Sequence, residues 1–205
     1  GVTLAQKMND GKFVASSLRE DELFTFYRAD GVRDTLSTGK APYPFRFQGI
    51  DDTSLKVKKR IFEYRLKYNG HNDKFVVCYC LNNLFEIYNS DGSLHKRIIA
   101  PYPYLVDTNH LSADKLGVPI AELIFTFKDC CLTDDRIFLL YNGSSPTGMI
   151  GAQSKIYVFD YEGNPIKYYL LDRYAHSFCI DKQGGVIYAL SDENDQKQVV
   201  RYSML

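Results

Sequence analysis

Arg173, Tyr174 and His176 lie within four residues of one another. A guanidinium, a phenol and an imidazole at that spacing can stack on a ligand and hydrogen-bond to it. Tyr102, Tyr104 and His110 offer similar material in a second segment, and Tyr64 offers it in an alternating one. The chemistry such residues supply is recognition. Metal binding asks for more, namely thiolates, imidazoles or carboxylates at ligand spacing. The five cysteines do not meet that demand. Cys78 and Cys80 are two apart and share a strand face, Cys130 and Cys131 are vicinal, and Cys179 stands alone. They read as small buried hydrophobes within strands. His71, His95 and His110 fall in turns or connectors and read as solvated, and His176 has no carboxylate or thiol at a meaningful spacing. Asp129, Asp134 and Asp135 lack the EF-hand ligand pattern and read as turn formers. No Gly-x-Ser-x-Gly, phosphate loop or His-Glu-x-x-His occurs. The expectation is therefore no catalytic residue, no metal and no cofactor.

Composition narrows the partners. Lys plus Arg and Asp plus Glu each number 25 in 205 residues, for a net charge of zero. Nucleic-acid binding draws most of its affinity from phosphate neutralisation, so no nucleic-acid partner is expected. No apolar run approaches the roughly 18 residues that span a bilayer, and no basic-then-apolar leader is present. Tyr (16) and Phe (13) are abundant and Trp is absent. Aromatics in such numbers suit half-buried pleated surfaces.

The elements that must position these residues are strands. Leu84-Phe85-Glu86-Ile87-Tyr88-Asn89-Ser90-Asp91-Gly92 alternates in period two and runs into an Asp-Gly turn. The pattern recurs from Leu23 to Gly31 and from Lys155 to Gly163, with turn glycines 61 and 71 residues apart. A second recurrence opens the preceding strand, at Gly11-Lys12-Phe13, Asp73-Lys74-Phe75, Asp135-Arg136-Ile137 and Gly185-Val186-Ile187. Its spacings are 62, 62 and 50 residues. Helical periodicity is nearly absent. Local turns of the Asn-Asp-Gly type join neighbouring strands into up-and-down meanders.

Repeats of this kind predict an all-β protein, a β-propeller of four consecutive four-stranded antiparallel blades. The units are residues 1–37, 57–100, 121–171 and 175–205, within one domain spanning 1–205. The fourth unit is short of its outermost strand. Four blades are also the lower limit for ring closure, so a larger ring of which this chain forms the C-terminal part is expected. The rival is a small four-bladed ring closed by hydrophobic packing. In the first case a gap between the first and fourth units is expected, or a second chain filling it by self-association. The blade faces should be built by Phe13, Phe24, Phe26, Phe75, Val77, Phe85, Ile87, Ile137, Leu139, Tyr157, Phe159, Ile187 and Ala189.

The Phe-x-Ile-Tyr-x-x-Asp-Gly unit resembles the blades of the TolB-like six-bladed propellers of bacterial cell-envelope proteins. So do the Lys-Phe-Val second strand and the ending from His176-Ser177 through Val186-Ile187-Tyr188-Ala189-Leu190-Ser191 to Val200-Arg201-Tyr202. The resemblance covers about the last four of six blades and implies a propeller in the periplasm or cell envelope. It transfers no catalytic motif. Propellers usually meet their ligands at the loops entering the innermost strands, which here are 40–59, 101–120 and 172–176. Tyr64, Tyr102, Tyr104, Arg173, Tyr174 and His176 are thus the candidate ligand-binding residues. Two functions follow from this reading. One is a non-catalytic binding or scaffold module that contacts a protein or glycan partner through its rim loops. The other is a propeller hydrolase or lyase with a channel-bound metal, which needs inward His, Asp, Glu or Asn residues converging from several blades.

Overall fold

A computed structural model describes residues 4–16, 22–34, 59, 61–99, 124–144, 153–181, 183, 185–193 and 196–204. Its fourteen strands form four antiparallel sheets. Sheet 1 holds β1 (Ala5–Lys7), β2 (Phe13–Ser16) and β3 (Phe24–Tyr27). Sheet 2 holds β4 (Tyr64–Asn69), β5 (Lys74–Tyr79), β6 (Leu84–Asn89) and β7 (Leu94–Ile99). Sheet 3 is β8 (Phe125–Leu132), β9 (Ile137–Ser144), β10 (Lys155–Phe159) and β11 (Pro165–Leu170). Sheet 4 is β12 (Ala175–Ile180), β13 (Val186–Glu193) and β14 (Gln196–Ser203). Each sheet pairs its strands in chain order. The one helical turn among the described residues ends at Ile61.

The expected four-strand count holds in sheets 2 and 3, and sheet 4 is one strand short as expected. Sheet 1 departs from it. Among the described residues no fourth strand follows β3, and a single bridge pairs Tyr27 with Arg33. Arg33 is drawn to Glu22 and Thr25, with its guanidinium on both side chains. Thr35 and Leu36 lie outside the described residues.

The recurring turns, Asp-Gly at Gly31 and Gly92 and Glu-Gly at Gly163, share one glycine conformation. Gly31, Gly92 and Gly163 sit at φ of 80°, 88° and 80°, a left-handed conformation that a Cβ disfavours. The aspartate of each turn accepts backbone N–H groups, with Asp30 Oδ1 taking Val32, Asp91 Oδ1 taking Ser93, and Asp160 Oδ1 taking Glu162 and Asn164. These turns cap the lower rim of the blades, opposite the ends at which β4, β8 and β12 begin.

Three clusters of buried side chains join the sheets in series. The first packs Val14, Phe24 and Phe26 of sheet 1 against Leu66, Phe75, Val77 and Tyr88 of sheet 2. Phe24 meets the Phe75 ring edge-on at 4.9 Å, and Phe75 stacks on Tyr88 at 5.1 Å. The second sets Val76, Cys78, Phe85 and Ile87 against Phe127, Cys130, Ile137 and Leu139. The third sets Phe138, Leu140, Ile156 and Val158 against Phe178, Ile187 and Ala189. Among the described residues no such cluster joins sheet 4 to sheet 1. Alternate residues along one strand therefore serve two neighbours. On β6, Phe85 and Ile87 point to sheet 3, while Leu84 and Tyr88 point to sheet 2's other neighbour, sheet 1. Of the thirteen expected face residues ten are buried, and Phe13, Tyr157 and Phe159 are half-buried.

Cysteines follow the packing, with one exception. Cys78, Cys80 and Cys130 are buried and Cys131 is half-buried, but Cys179 is exposed. Its partner across the pair β12–β13 is Tyr188, on the face of sheet 4 turned away from sheet 3. Asp129 also differs from expectation, because it lies within β8 rather than in a turn, whereas Asp134 and Asp135 do form the β8–β9 turn. His95 sits on β7, half-buried, 3.1 Å from Glu162.

Candidate functional site: the upper rim beside sheet 4

The upper rim is stapled from blade to blade by polar contacts of the innermost strands. Tyr64 at the start of β4 donates its hydroxyl to the Leu23 carbonyl of sheet 1. At the start of β8, Thr126 donates its amide to Cys80 at 2.8 Å and its hydroxyl to Asn82 at 2.9 Å, both in sheet 2's β5–β6 loop. At the start of β12, the Ala175 amide donates to Ser154 Oγ at 2.8 Å, and that hydroxyl donates to Asn142 Oδ1 at 2.6 Å. Ser154 and Asn142 are buried, so these bonds form away from competing water. Sequence reasoning missed all of them. Only the polar runs Asn82-Asn83 and Asn142 to Ser154 hinted at loops in these places.

The staple between sheets 3 and 4 fixes the segment that carries the candidate residues. The Leu171 amide donates to Ser154 O at 2.9 Å and the Ser154 amide donates to Arg173 O at 3.2 Å. Ser191 of β13 donates its hydroxyl to Tyr174 O at 2.5 Å. The backbone of 171–175 is thus held from both sides before any ligand arrives, which is preorganisation in the physical sense.

Side chains project from this held backbone. Arg173 forms a fork with its neighbour, its Nε and Nη2 each 3.1 Å from an Asp172 oxygen. Tyr202 of β14 donates its hydroxyl to Asp172 Oδ1 at 2.5 Å. These donors, Arg173 foremost, hold the Asp172 carboxyl below its ordinary value, and burial with the Asp172 contact pushes the Tyr202 phenol up to about 12. The half-buried Tyr174 ring stands edge-on to the His176 ring at 5.0 Å. His176 Nε2 lies 2.6 Å from Asp192 Oδ2. Asp192 is a partner that the sequence reading did not give His176, because sixteen residues and a strand reversal separate the two.

Four of the six expected ligand-binding residues can be placed. Arg173, Tyr174 and His176 come together with Asp192 on the upper rim. Tyr64 does not join them. It is only 9% exposed and lies in the core between sheets 1 and 2, its hydroxyl taken by Leu23. A tyrosine at the start of an innermost strand is drawn between blades when the neighbouring sheet offers a carbonyl. Tyr102 and Tyr104 lie outside the described residues, as does His110. Among the described residues no three His, Cys, Asp or Glu side chains approach closely enough to hold a metal ion. No helix among them is long and apolar enough to cross a membrane.

Consecutive antiparallel meanders, packed face to face and stapled at their inner strands, define a propeller-like protein. Residues 2–183 match the TolB-like 6-blade propeller-like family, and the chain belongs to that family. Among solved structures it is similar to a putative 6-phosphogluconolactonase from Bacteroides uniformis, at 12% identity and a TM-score of 0.55. That likeness covers 97% of this chain and 49% of the other. It is also similar to Saccharomyces cerevisiae Sqt1 at 11% identity and a TM-score of 0.49, over 96% of this chain and 47% of the other. The chain thus spans about half the length of either solved structure. The curated proteins hold no match. At such identities the likeness concerns fold alone.

Proposed function

We propose that the protein is a non-catalytic binding or scaffold module of the cell envelope that meets a protein or glycan partner through its upper rim. The observation that carries this reading is the 172–176 segment. Its backbone is tied down by Ser154 and Ser191, and the Arg173 and His176 side chains, each 33% exposed, reach solvent from it, while the Tyr174 hydroxyl is buried and its ring stands against His176. An aromatic edge beside an imidazole and a guanidinium suits stacking on sugar rings or on a peptide, with polar groups to set orientation. Tyr102 and Tyr104 are proposed to add to the same rim, and residues 1–205 to act as one domain.

The test is retention of the purified chain on immobilised envelope glycans, peptidoglycan and lipopolysaccharide fragments, and on immobilised envelope proteins. The double variant Arg173→Ala with His176→Ala should lower retention at least about tenfold while leaving the thermal midpoint in place, as loss of rim anchors does. Equal retention by wild type and variant refutes the reading.

The second reading is a propeller hydrolase acting on a lactone or polysaccharide around a metal. It draws support from the Bacteroides uniformis neighbour, itself described as a putative 6-phosphogluconolactonase. It needs converging donors, and His176 with Asp192 supplies two side chains where the described residues offer no third. Lactone turnover by wild type incubated with zinc or calcium, lost in His176→Ala, would establish it instead.

A further inference from the structure

Strand β8 is clamped to sheet 2 at both of its ends. At the upper rim the Thr126 amide donates to the Cys80 carbonyl at 2.8 Å, and at the lower rim Asn69 Nδ2 donates to the Thr133 carbonyl at 2.8 Å. Between these clamps β5 and β8 run in opposite directions. Cys78 stands two residues before the upper clamp on β5, and Cys130 stands between the two clamps on β8. Both side chains are buried in the cluster that packs sheet 2 against sheet 3. There the Cys78 thiol shares a hydrogen bond with the Cys130 thiol. Two sulfurs from different sheets are thus brought together in a packed interior, with the strands that carry them fixed above and below.

The other cysteines are placed differently. Cys131 follows Cys130, so strand alternation turns it to the opposite face, where it packs in the cluster against sheet 4. Cys80 lies just past the end of β5 and belongs to none of the three clusters. Cys179 is exposed on β12.

We infer that Cys78 and Cys130 join as a disulfide that locks sheet 2 to sheet 3 when the chain folds in the presence of a disulfide oxidant. Oxidised glutathione represents that chemical class. One cysteine thiolate attacks a sulfur of the oxidant, whose S–S bond breaks and releases one glutathione thiolate, leaving a mixed disulfide on the protein. The thiolate of the second cysteine then attacks the protein sulfur of that mixed disulfide and releases the second glutathione. The two cysteines give up two protons and two electrons, and the oxidant is reduced to two thiols. Once the sheets have closed, burial keeps both thiols neutral and out of reach, so the exchange belongs to the folding chain. The same burial then shields the finished bond. The lock is independent of any ligand at the upper rim.

The test uses the whole chain with Cys179→Ala, which removes the exposed thiol. It is refolded from urea in reduced or in oxidised glutathione, and its thiols are counted by maleimide labelling under denaturing conditions. Four thiols are expected after reduced refolding and two after oxidised refolding. Trypsin should then yield fragments 75–96 and 129–136 joined in one species that dithiothreitol separates. These fragments also contain Cys80 and Cys131, so single variants assign the bond. Cys78→Ala and Cys130→Ala should each abolish the joined species, whereas Cys80→Ala and Cys131→Ala should retain it. About fifty residues lie between the two cysteines, so the cross-linked form should melt about 8–16 °C above the reduced form. Four thiols after oxidised refolding overturn the proposal, as does a joined species that survives in Cys78→Ala or in Cys130→Ala. Fragments joined in any other pair overturn it without recourse to those variants. A cross-linked chain that melts with the reduced one overturns the role of the bond as a lock.

Discussion

Glu86 gives the sharpest test of how the blades are held together. It lies on β6, its side chain is 0% exposed, and it faces the core between sheets 1 and 2 beside Tyr79 and Tyr88. Both phenols donate to Oε2 at 2.7 Å, and Arg97 of β7 donates its Nε to Oε1 at 2.6 Å. Arg97 keeps contact with water, its side chain 32% exposed. Arg97→Ala removes the only positive charge on a buried carboxylate among these contacts, a change that typically costs about 3–5 kcal/mol. The two tyrosine donors remain, so the lower end, about 3 kcal/mol, is expected here. Glu86→Gln removes the charge, keeps an acceptor for the tyrosines and lets Arg97 turn to solvent, for about 1–2 kcal/mol. Urea unfolding should therefore rank Arg97→Ala below Glu86→Gln below wild type. In a chain of this length the thermal midpoint should fall by about 6–12 °C for Arg97→Ala, at roughly 2–4 °C per kcal/mol. Arg97→Ala costing less than about 1 kcal/mol, or less than Glu86→Gln, would refute the argument that this carboxylate depends on its guanidinium partner.

Glycine requirements should differ between turns that share a backbone conformation. Gly31→Ala meets open space and costs only the left-handed penalty, about 1–2 kcal/mol. Gly163→Ala adds a clash with Ile98 Cδ1 at 2.8 Å and should cost about 1 kcal/mol more by urea titration, whereas equal losses would disprove the contact. Tyr161→Phe removes the donor to Thr133 O at 3.0 Å and the acceptor of Asn69 Nδ2 at 2.6 Å, and should cost about 1–3 kcal/mol. Folding raises the Tyr68, Tyr161 and Tyr202 phenols to about 12, burial being the main cause in each. A pKa raised on folding gives stability that is complete below the unfolded value of 10 and lost as pH climbs toward 12. Urea midpoints should therefore decline between pH 10 and 12, and a flat profile would contradict the shifts. For thiols, burial pushes Cys80 up to about 12, and the hydrogen bond with Cys130, then burial, pushes Cys78 up. At pH 8 a thiol reagent should modify Cys179 quickly, Cys131 slowly and the buried three only after unfolding. Rapid reaction of two or more thiols would count against this burial pattern.

Much of this architecture could be read from local pattern. Strand alternation and the Asp-Gly turns need only period two and a residue that tolerates positive φ, properties that neighbours in sequence dictate. The strands of sheets 2 and 3 accordingly lie close to where the repeats placed them, and the three turn glycines share one conformation. Which of the nominated residues share a face follows from the same alternation, although Phe13, Tyr157 and Phe159 are only half-buried. Glu86 shows the limit. In Leu-Phe-Glu-Ile-Tyr it reads as the solvent side of an alternating strand, yet it is fully buried.

The difference lies in what each sheet touches. A strand's own residues determine which side chains share a face, because the pleat alternates them, and so the sequence alone settled the meanders, their turns and the family resemblance. Whether a face meets water or another sheet is decided by neighbours sixty residues away, and only the tertiary structure showed that sheets 2 and 3 are covered on both sides. That double burial placed Glu86 under Arg97 and drew Tyr64 off the rim onto the Leu23 carbonyl, while Cys179 is exposed on the face of sheet 4 turned away from sheet 3. The rim constellation has the same origin. His176 finds Asp192, and Ala175 finds Ser154, only because β12 is packed against sheet 3 and paired with β13. Hydrogen bonds between residues distant in sequence require the chain's entropy to be overcome by packing first, and no local pattern announces which of them will form.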